Sequence, residues 1–401
     1  MTMAKTTHLP SPADLIVVGA SVRSACQSAI RSGYNPIGID LFGDIDLAEA
    51  CQAIRIEDYP AEICSALENL ESSIPWMYTG GIENYPDLIE EVSNRRDLIG
   101  NTGSVISRIR DPFWISNVLA DANLPSLRVA RCEDLAPGNN WLIKRLRGAA
   151  GHGIQRLDLG EPLLADSGES YLQQFVEGPS FSAVYLALPD EVVFVGLSQQ
   201  LVGESFLNAG EFEYCGSIGP IGNEAPELHG KLNQDTIELV KSCGRVLGRT
   251  ANLRGLFGID LVVADGIPFV VEVNPRYTAS VEVFERSLSL PLVAWHVQAC
   301  TKVDSLDPAM LKAAIDKRYA SPHLLTGKGI FFSPCDLTIG DLHSGSLEDS
   351  IIADIPYPKT SIANGSPICT FIVTGDSLES SRGLLCRAAA QLERYASDCD
   401  R

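Results

Sequence analysis

Residues 258–276 read GIDLVVADGIPFVVEVNPR, two apolar, β-branched runs on either side of an Asp-Gly pair, which is the pattern of a β-hairpin. What constrains the fold is where the hydrophilic residues fall. Side chains two apart on a strand share a face, so Glu272, Asn274 and Arg276 project together from an otherwise apolar run. Two oxygen donors beside one guanidinium suit a magnesium triphosphate, because the oxygens hold a hard cation while the arginine neutralises phosphate. Asp260 precedes Glu272 by twelve residues. A two-residue Asp265-Gly266 turn would pair Ile259 with Glu272 and set the two acids on opposite faces. An odd loop, or a bulge, would instead put Asp260 directly across from Glu272. We expect the odd loop, which brings Asp260 into the same site. The plain alternative is an ordinary hairpin with solvated acids, and the alternation of acid, amide and base disfavours it.

A second segment, WLIKRLRGAAGHGI (141–154), joins a strand to a glycine loop. Lys144 lies among Leu142, Ile143 and Leu146, where an ammonium needs a counter-charge. The loop from Gly148 through Gly151 to Gly153 can bring backbone N–H groups close to phosphate oxygens. Alone, a glycine cluster is equally a plain hairpin turn; its place upstream of the acidic hairpin sharpens it. His152 reads as a solvent-facing loop residue.

Charge narrows the partners. The 401 residues carry a formal net charge of −20, which repels nucleic acid and anionic membranes alike. A phosphate-binding site must then gather its few cations locally. Eleven cysteines are scattered singly with no C-x-x-C pair, so zinc sites and a disulfide framework are not expected. Buried free thiols are. The opening MTMAKTTHLPSP lacks the apolar core of a signal segment, and no apolar run approaches the ~20 residues of a membrane helix. A cytoplasmic protein with small-molecule substrates is the expectation, with no nucleic-acid or membrane partner; a homodimer is compatible with the sequence, which does not fix the oligomeric state.

Along the chain, DLIVVGA (14–20) reads as a buried strand, and Ser21 caps a helix marked by Val22, Ala25, Cys26, Ala29 and Ile30, stopped at Gly33. PIGIDL (36–41) completes a β-α-β unit, and IPWMYT (74–79) with PDLIEEVSN (86–94) continues it. Asp111-Pro112 starts a helix running to Leu124. YLQQFV (171–176) is a strand, and SFSAVYLAL with EVVFVGLSQQ is a hairpin across Pro189-Asp190. A long helix follows over about 230–249. Beyond 301, strands such as KGIFFS (328–333) and PICTFIVTG (367–375) precede a helix over 378–396. The fold class is α/β and α+β, with regions 1–104, 105–300 and 301–401.

The order of lysine strand with glycine loop, then YLQQFVEG (171–178), then GID…EVNPR resembles the ATP-grasp superfamily. Within it the chain is most similar to carboligases related to biotin carboxylase, a group that includes tyramine–glutamate ligase of methanofuran biosynthesis. The resemblance runs over nearly the whole chain and extends, less specifically, to GGIENYP (80–86) and PICTFIVTG. It implies a Rossmann-like pre-ATP-grasp domain, a two-lobed ATP-grasp core and a small C-terminal α+β domain. It also implies that Lys144 and the loop glycines contact ATP phosphates, and that Gln173, Gln174, Phe175 and Val176 form the inter-lobe hinge that reads adenine through the main chain. Magnesium or manganese is implied on Asp260, Glu272 and Asn274, with Arg276 on the transferring phosphate. Glu177 or Ser180 aligns with the ribose acid. Three departures stand out. Gln occupies the hinge where many relatives carry Glu. Asp111-Pro112 replaces Asp-Lys, so the second ATP lysine is missing and Arg108 or Arg110 is the candidate replacement. Ala150 stands where a second adjacent glycine is common.

The chemistry implied is ATP-dependent activation of a carboxylate as an acyl phosphate, captured by an amine. The carboxylate would sit near the loop YCGSIGP (214–220) or the segment holding Tyr277 and Glu282. Glutamate ligation in C1-carrier cofactor synthesis is the finer expectation. Competing readings are carboxylation through carboxyphosphate, as in biotin carboxylase, and ATP binding that only regulates a partner. A nicotinamide oxidoreductase, suggested by Asp40 about 20 residues past Gly19, is disfavoured because VGASVRSA offers one glycine where the fingerprint wants three. Asp40 reads better as a strand-end residue lining the substrate cleft.

Overall fold

The computed structural model describes residues 12–132, 140–148, 150–157, 169–222, 232–301, 306–321, 323–342 and 347–399. The opening residues 1–11, Ala149 of the glycine loop and residues 230–231 of the expected helix lie outside them.

The chain opens with a parallel sheet. β1 (Leu15–Gly19), α1 (Arg23–Arg31) and β2 (Pro36–Asp40) form the expected β-α-β unit, followed by α2 (Ile45–Ala50), β3 (Gln52–Arg55), α3 (Ile63–Glu68) and β4 (Trp76–Tyr78). The order is β3-β2-β1-β4, all parallel. The β1 side chains are all buried, as an unbroken apolar run between two helical layers requires. Ser21 does not cap α1. Val22 occupies that position and its N–H is taken by Asp40 Oδ2 at 2.8 Å. A single 3₁₀ turn at Ile82–Asn84 leads to α4 (Pro86–Ser93), then α5 (Gly103–Ile109) and α6 (Pro112–Asp121). Asp111 caps α6 as expected, accepting from the Phe113 N–H at 2.9 Å.

Two antiparallel sheets follow. The smaller holds β5 (Val129–Arg131), β6 (Trp141–Arg145), β7 (Gln155–Arg156) and β8 (Ser170–Gln174) in the order β5-β8-β6-β7. The larger begins with β9 (Ser180–Ala187), β10 (Val192–Val202) and β11 (Tyr214–Ile221). Helix α7 (Gln234–Ala251) packs beside it through Val240, Cys243, Leu247 and Ala251, one stripe at helical spacing. Asn233 and Thr236 cap α7 reciprocally. At Gly244 any side chain would enter the Tyr185 ring, whose hydroxyl donates to the Val240 carbonyl at 2.7 Å. Next come β12 (Gly255–Ala264), β13 (Ile267–Asn274), α8 (Val281–Leu288), α9 (Leu292–Thr301) and α10 (Pro308–Tyr319). The remaining elements are β14 (Leu325–Phe332), β15 (Leu337–Thr338), β16 (Ser350–Ala353), β17 (Ser361–Ile362), β18 (Pro367–Gly375) and α11 (Leu378–Cys399).

The large sheet runs β13-β12-β9-β10-β11-β14-β18-β16. Strands from beyond residue 301 therefore hydrogen-bond directly onto the hairpin core through β11 and β14. One apolar cluster spans this union, from Ile259 and Val273 to Phe371 and Leu385. A second packs α1 of the parallel sheet against Val184, Leu256 and Phe284, fixing the N-terminal sheet over the large one. Ten cysteines are described as free thiols, five of them buried. Among the described residues no helix is long and apolar enough to cross a membrane.

Candidate active site

A cavity of about 620 Å³ opens between the parallel sheet, the small sheet and the large one. Its walls include Glu83 from the 3₁₀ turn, Lys144 and Gln173 from the small sheet, and Asp260, Glu272, Asn274 and Arg276 from the β12–β13 hairpin. Of the sequence-predicted site residues, all but Gly148 and Gly153 line this one cleft.

The hairpin reaches its register by a route other than the expected one. Asp265 and Gly266, at φ 49° and 76°, make a two-residue turn that pairs Ala264 with Ile267. The odd residue lies further along: Leu261 pairs with Val270 and Asp260 with Glu272, leaving Val271 as a bulge. The odd loop is thus corrected to a bulge, and the two acids do face each other. The bulge has a local cause, since the Val271 carbonyl accepts from Gln173 Nε2 at 3.2 Å.

Two carboxylates placed directly opposite repel one another. Burial and then the facing Glu272 push the Asp260 carboxyl up to about 7. Asn274 Nδ2 donates to Asp260 Oδ2 at 2.9 Å, while Asn274 Oδ1 accepts from Arg276 Nη2 at 3.0 Å. A divalent cation would offset the repulsion, so the donor set fits one. Among the described residues no group of three or more His, Cys, Asp and Glu gathers around one point. A cation with two carboxylates must complete its shell with phosphate and water, which is the habit of magnesium.

Three cations face these acids. Lys144 is buried, and the expected counter-charge is corrected to an amide: Nζ donates to Gln173 Oε1 at 3.1 Å and lies 6.0 Å from the Tyr171 ring centre. Gln173 thus ties the lysine strand to the bulge of the acidic strand, accepting from one and donating to the other. A glutamate there could not donate. Arg276 gives Nε and Nη2 to Glu83 Oε1 at 2.8 and 2.6 Å. Arg110 lies in a small pocket beside the cleft, with Nη2 donating to the Gly148 carbonyl at 2.8 Å and approaching Glu272 at 3.5 Å, while Nη1 stands 3.4 Å from Glu83. Arg108 is exposed, so Arg110 is the cation that stands where the missing lysine was considered. Burial would raise the Glu83 carboxyl, but Arg276 and Arg110 more than offset it and hold it below its usual range.

Residues 111–280 match the ATP-grasp domain family. They form an ATP-grasp domain. A biotin carboxylase of Campylobacter jejuni superposes with a TM-score of 0.69 at 13% identity, over 92% of this chain and 89% of that one. An L-amino acid ligase of Bacillus licheniformis superposes at 0.65 and 15%, over 93% and 97%. At such identities the likeness establishes the fold. In sequence, an uncharacterized protein of Methanocaldococcus jannaschii is 24% identical over 229 residues, 56% of this chain and 48% of that protein. The chain spans less than half the length of the curated relatives it matches.

The glycine loop of the ATP-grasp domain is seated on the start of β11. Tyr214 N–H donates to the Ala150 carbonyl at 3.1 Å, and Gly151, at φ 82°, lies so close that any β-carbon would run into the Phe212 carbonyl oxygen. Gly153 also has a positive φ, 77°, whereas Gly148 does not. In the hinge, the N–H groups of Gln174 and Phe175 go to the carbonyls of Arg128 and Asn140, each at 2.8 Å. Phe175, Val176, Glu177 and Ser180 all line the cleft, and the Phe175 ring stacks under Arg156 at 4.3 Å. His152 is exposed, as expected.

Three expectations are corrected. Asp40 does not line the cleft; it is fully buried, accepting N–H groups from Val22, Phe42 and Gly43. Residues 214–220 are strand β11 rather than a loop, and Tyr214 faces the cleft from it. Glu282 is buried behind the wall, where it holds Arg23, Arg286 and Lys328. Sequence reasoning missed Glu83, Lys328 and Asp354, all of which line the cleft. Lys328 carried the signal that exposed Lys144, a lysine inside an apolar strand.

Proposed function

We propose that this chain is an ADP-forming ligase that joins a carboxylate to an amine, with ATP lying between the small and large sheets. The observation that carries the reading is the meeting of Lys144 and Arg276 with the facing pair Asp260 and Glu272 in one cleft, with Arg110 reaching Glu272 from the small pocket beside it. Phosphoryl transfer asks little covalent chemistry of a protein and much positioning and charge. Lys144 and Arg110 would meet phosphate oxygens, and Arg276, tethered by Glu83, the phosphate being transferred. Magnesium, held by Asp260 and Glu272 with Asn274 alongside, would neutralise phosphate charge when bound. The hinge would read adenine through Val176 and main-chain carbonyls, since the neighbouring N–H groups are already engaged.

In the first step the substrate carboxylate oxygen bonds to the γ-phosphorus as ADP leaves. In the second the amine nitrogen bonds to the carbonyl carbon, inorganic phosphate leaves and the nitrogen loses a proton. The glycine loop over the phosphates would keep water from the acyl phosphate. Hydroxylamine tests this, because it converts an acyl phosphate to a stable hydroxamate. Hydroxamate and ADP formed together with some carboxylate support the reading; neither product across a broad carboxylate panel overturns it.

The finer reading, glutamate joined to an aryl amine in C1-carrier cofactor synthesis, rests on the resemblance to the tyramine–glutamate ligase group and is checked by ADP release with glutamate and tyramine. Bicarbonate as the activated carboxylate is favoured by the biotin carboxylase fold. Against it, the cleft continues well past Arg276 to Lys328 and Asp354. Bicarbonate-dependent ADP release would reverse that order.

A further inference from the structure

Resting on the ligase reading, we infer that Glu83 is the acceptor for the attacking amine: its oxygen Oε2 takes an N–H of the nucleophile, aims the nitrogen lone pair at the acyl carbon and receives the proton as the C–N bond forms.

The carboxylate divides its work between two oxygens. Oε1 accepts from Arg276 Nε and Nη2 at 2.8 and 2.6 Å, and Arg110 Nη1 stands 3.4 Å from it. Oε2 is buried and accepts nothing among the described residues. A buried oxygen without a donor is costly, and in a residue that lines a cleft it marks where a ligand's donor belongs. The Tyr59 hydroxyl, packed under Gly81, bears on Glu83 electrostatically but makes no hydrogen bond to it. Because Oε2 is covered, contact with an amine asks for a small turn of the carboxylate about the end held by Arg276.

Glu83 sits where the nucleophile must arrive. On the proposed function Arg276 meets the phosphate being transferred, and the acyl carbon is joined to that phosphate through one oxygen. Beside Glu83 the wall given by the parallel sheet is made of small residues, Ala20, Ser21, Gly80 and Gly81. A β-carbon on Gly80 would already stand 3.4 Å from Arg276 Cζ. The amine's substituent has its way in along that wall.

Elimination points to the same group. The carboxylates that line the cleft are Glu83, Glu177, Glu211, Asp260, Glu272 and Asp354, and no histidine is among the lining residues described. Asp260 and Glu272 are the proposed cation ligands. Glu177 follows the hinge directly, and Glu211 pairs at 2.8 Å with Arg156, which stacks on the hinge residue Phe175. Both oxygens of Asp354 are held by Arg23. Lys144 and Lys328 are donors, to Gln173 and Glu282. Tyr214 and Tyr277 line the cleft too, but burial pushes both hydroxyls up, out of the range of a base at neutral pH. Glu83 remains.

Its strength fits an amine. Burial raises the Glu83 carboxyl, but Arg276 and Arg110 hold it below its usual range, which makes it a weak base. A nitrogen turns acidic as it bonds to carbon, so a weak base suffices; a hydroxyl must be relieved of its proton to attack well. As the C–N bond forms, the bond from the acyl carbon to the phosphate oxygen breaks. Inorganic phosphate leaves with that electron pair, and the nitrogen's proton passes to Oε2.

The test separates proton transfer from the tether. The intact protein is given ATP, magnesium and the carboxylate panel, with ammonium, methylamine, tyramine or hydroxylamine as nucleophile. ADP is counted together with amide or hydroxamate. Hydroxylamine is reactive enough toward acyl phosphates to need no positioned acceptor. Wild type should form about one amide per ADP with at least one of the other amines. In Glu83→Gln amide per ADP should fall about tenfold or more, the balance going to water, while hydroxamate per ADP stays within about twofold. Arg276→Lys gives up the paired hydrogen bonds and leaves Glu83 charged. It should slow ADP release yet keep amide per ADP within about twofold. Glu83→Asp keeps the charge for the arginines but draws the oxygens back, and should lose amide per ADP about threefold or more. It carries the test if thermal melting shows that Glu83→Gln does not fold. Unchanged amide per ADP in the Glu83 variants, or equal loss of amide and hydroxamate, overturns the inference and leaves the ligase reading standing. So does a wild type that yields hydroxamate but no amide. No ADP from any carboxylate would bring down the ligase reading and the inference with it.

Discussion

Glu83 holds Arg276 from 193 residues away, one carboxylate oxygen taking both Nε and Nη2. The 3₁₀ turn after β4 therefore sets the orientation of the guanidinium that ends the acidic strand. Glu83→Gln keeps the shape and removes the charge that Arg276 and Arg110 share. With two part-buried cations left short of a partner, we expect a loss on the order of 2 kcal/mol in urea unfolding. On the proposed function, ADP release should also fall at least tenfold, mostly in kcat. An unchanged unfolding midpoint would show that the tether carries no weight.

Lys144 and Glu272 should separate by the kinetic parameter each affects. Lys144→Met removes a buried ammonium aimed at phosphate and should lower kcat about 100-fold or more. Glu272→Gln leaves Asp260 alone at the cation, so the magnesium concentration giving half-maximal rate should rise at least tenfold. Removing divalent ions with EDTA should abolish turnover in the wild type.

Gly151 combines a positive φ with contact against the Phe212 carbonyl. Gly151→Ala should unseat the loop from β11. The expected result is an ATP KM raised about tenfold, since a detached loop brings fewer N–H groups to phosphate. Limited proteolysis should cleave at 148–153 sooner than in the wild type.

His296 predicts an acid limb in stability. Its Nδ1 accepts the Leu256 N–H at 2.9 Å and its Nε2 lies 3.2 Å from the Ile99 carbonyl, so the ring is neutral with its proton on Nε2. Burial pushes it down to about 4 from an ordinary 6.5. Between those values the unfolded chain binds the proton and the folded one does not. Its contribution is complete above pH 6.5 and is lost as pH falls toward 4, roughly 3 kcal/mol in all. In His296→Gln the gap in stability from the wild type should shrink on acidification through that window. A constant gap would refute it.

Much of the site was legible because charge inside an apolar strand is conspicuous. Lys144, Asp260 and Glu272 announced themselves that way. The bulge did not, because an extra residue in a strand depends on what pulls its backbone, here Gln173 reaching across from another sheet. Asp40 was misplaced for a related reason. A strand-end acid in a β-α-β unit often meets ligand, but here three nearby N–H groups take it first. The tether of Arg276 to Glu83 was invisible, since sequence spacing says nothing about partners brought together by two separate sheets. Lys328 was readable in KGIFFS, yet its membership of the same sheet as Asp260 was not.

That shared sheet has a bearing on synthesis. Until residues 325–332 emerge from the ribosome, β11 presents a raw edge of unpaired N–H and C=O groups, open to pairing with another nascent chain. The ATP-grasp hairpins must wait in that exposed condition for a strand more than a hundred residues downstream of β11. Slow translation or truncation upstream of β14 should therefore show itself as aggregation before it shows as lost activity.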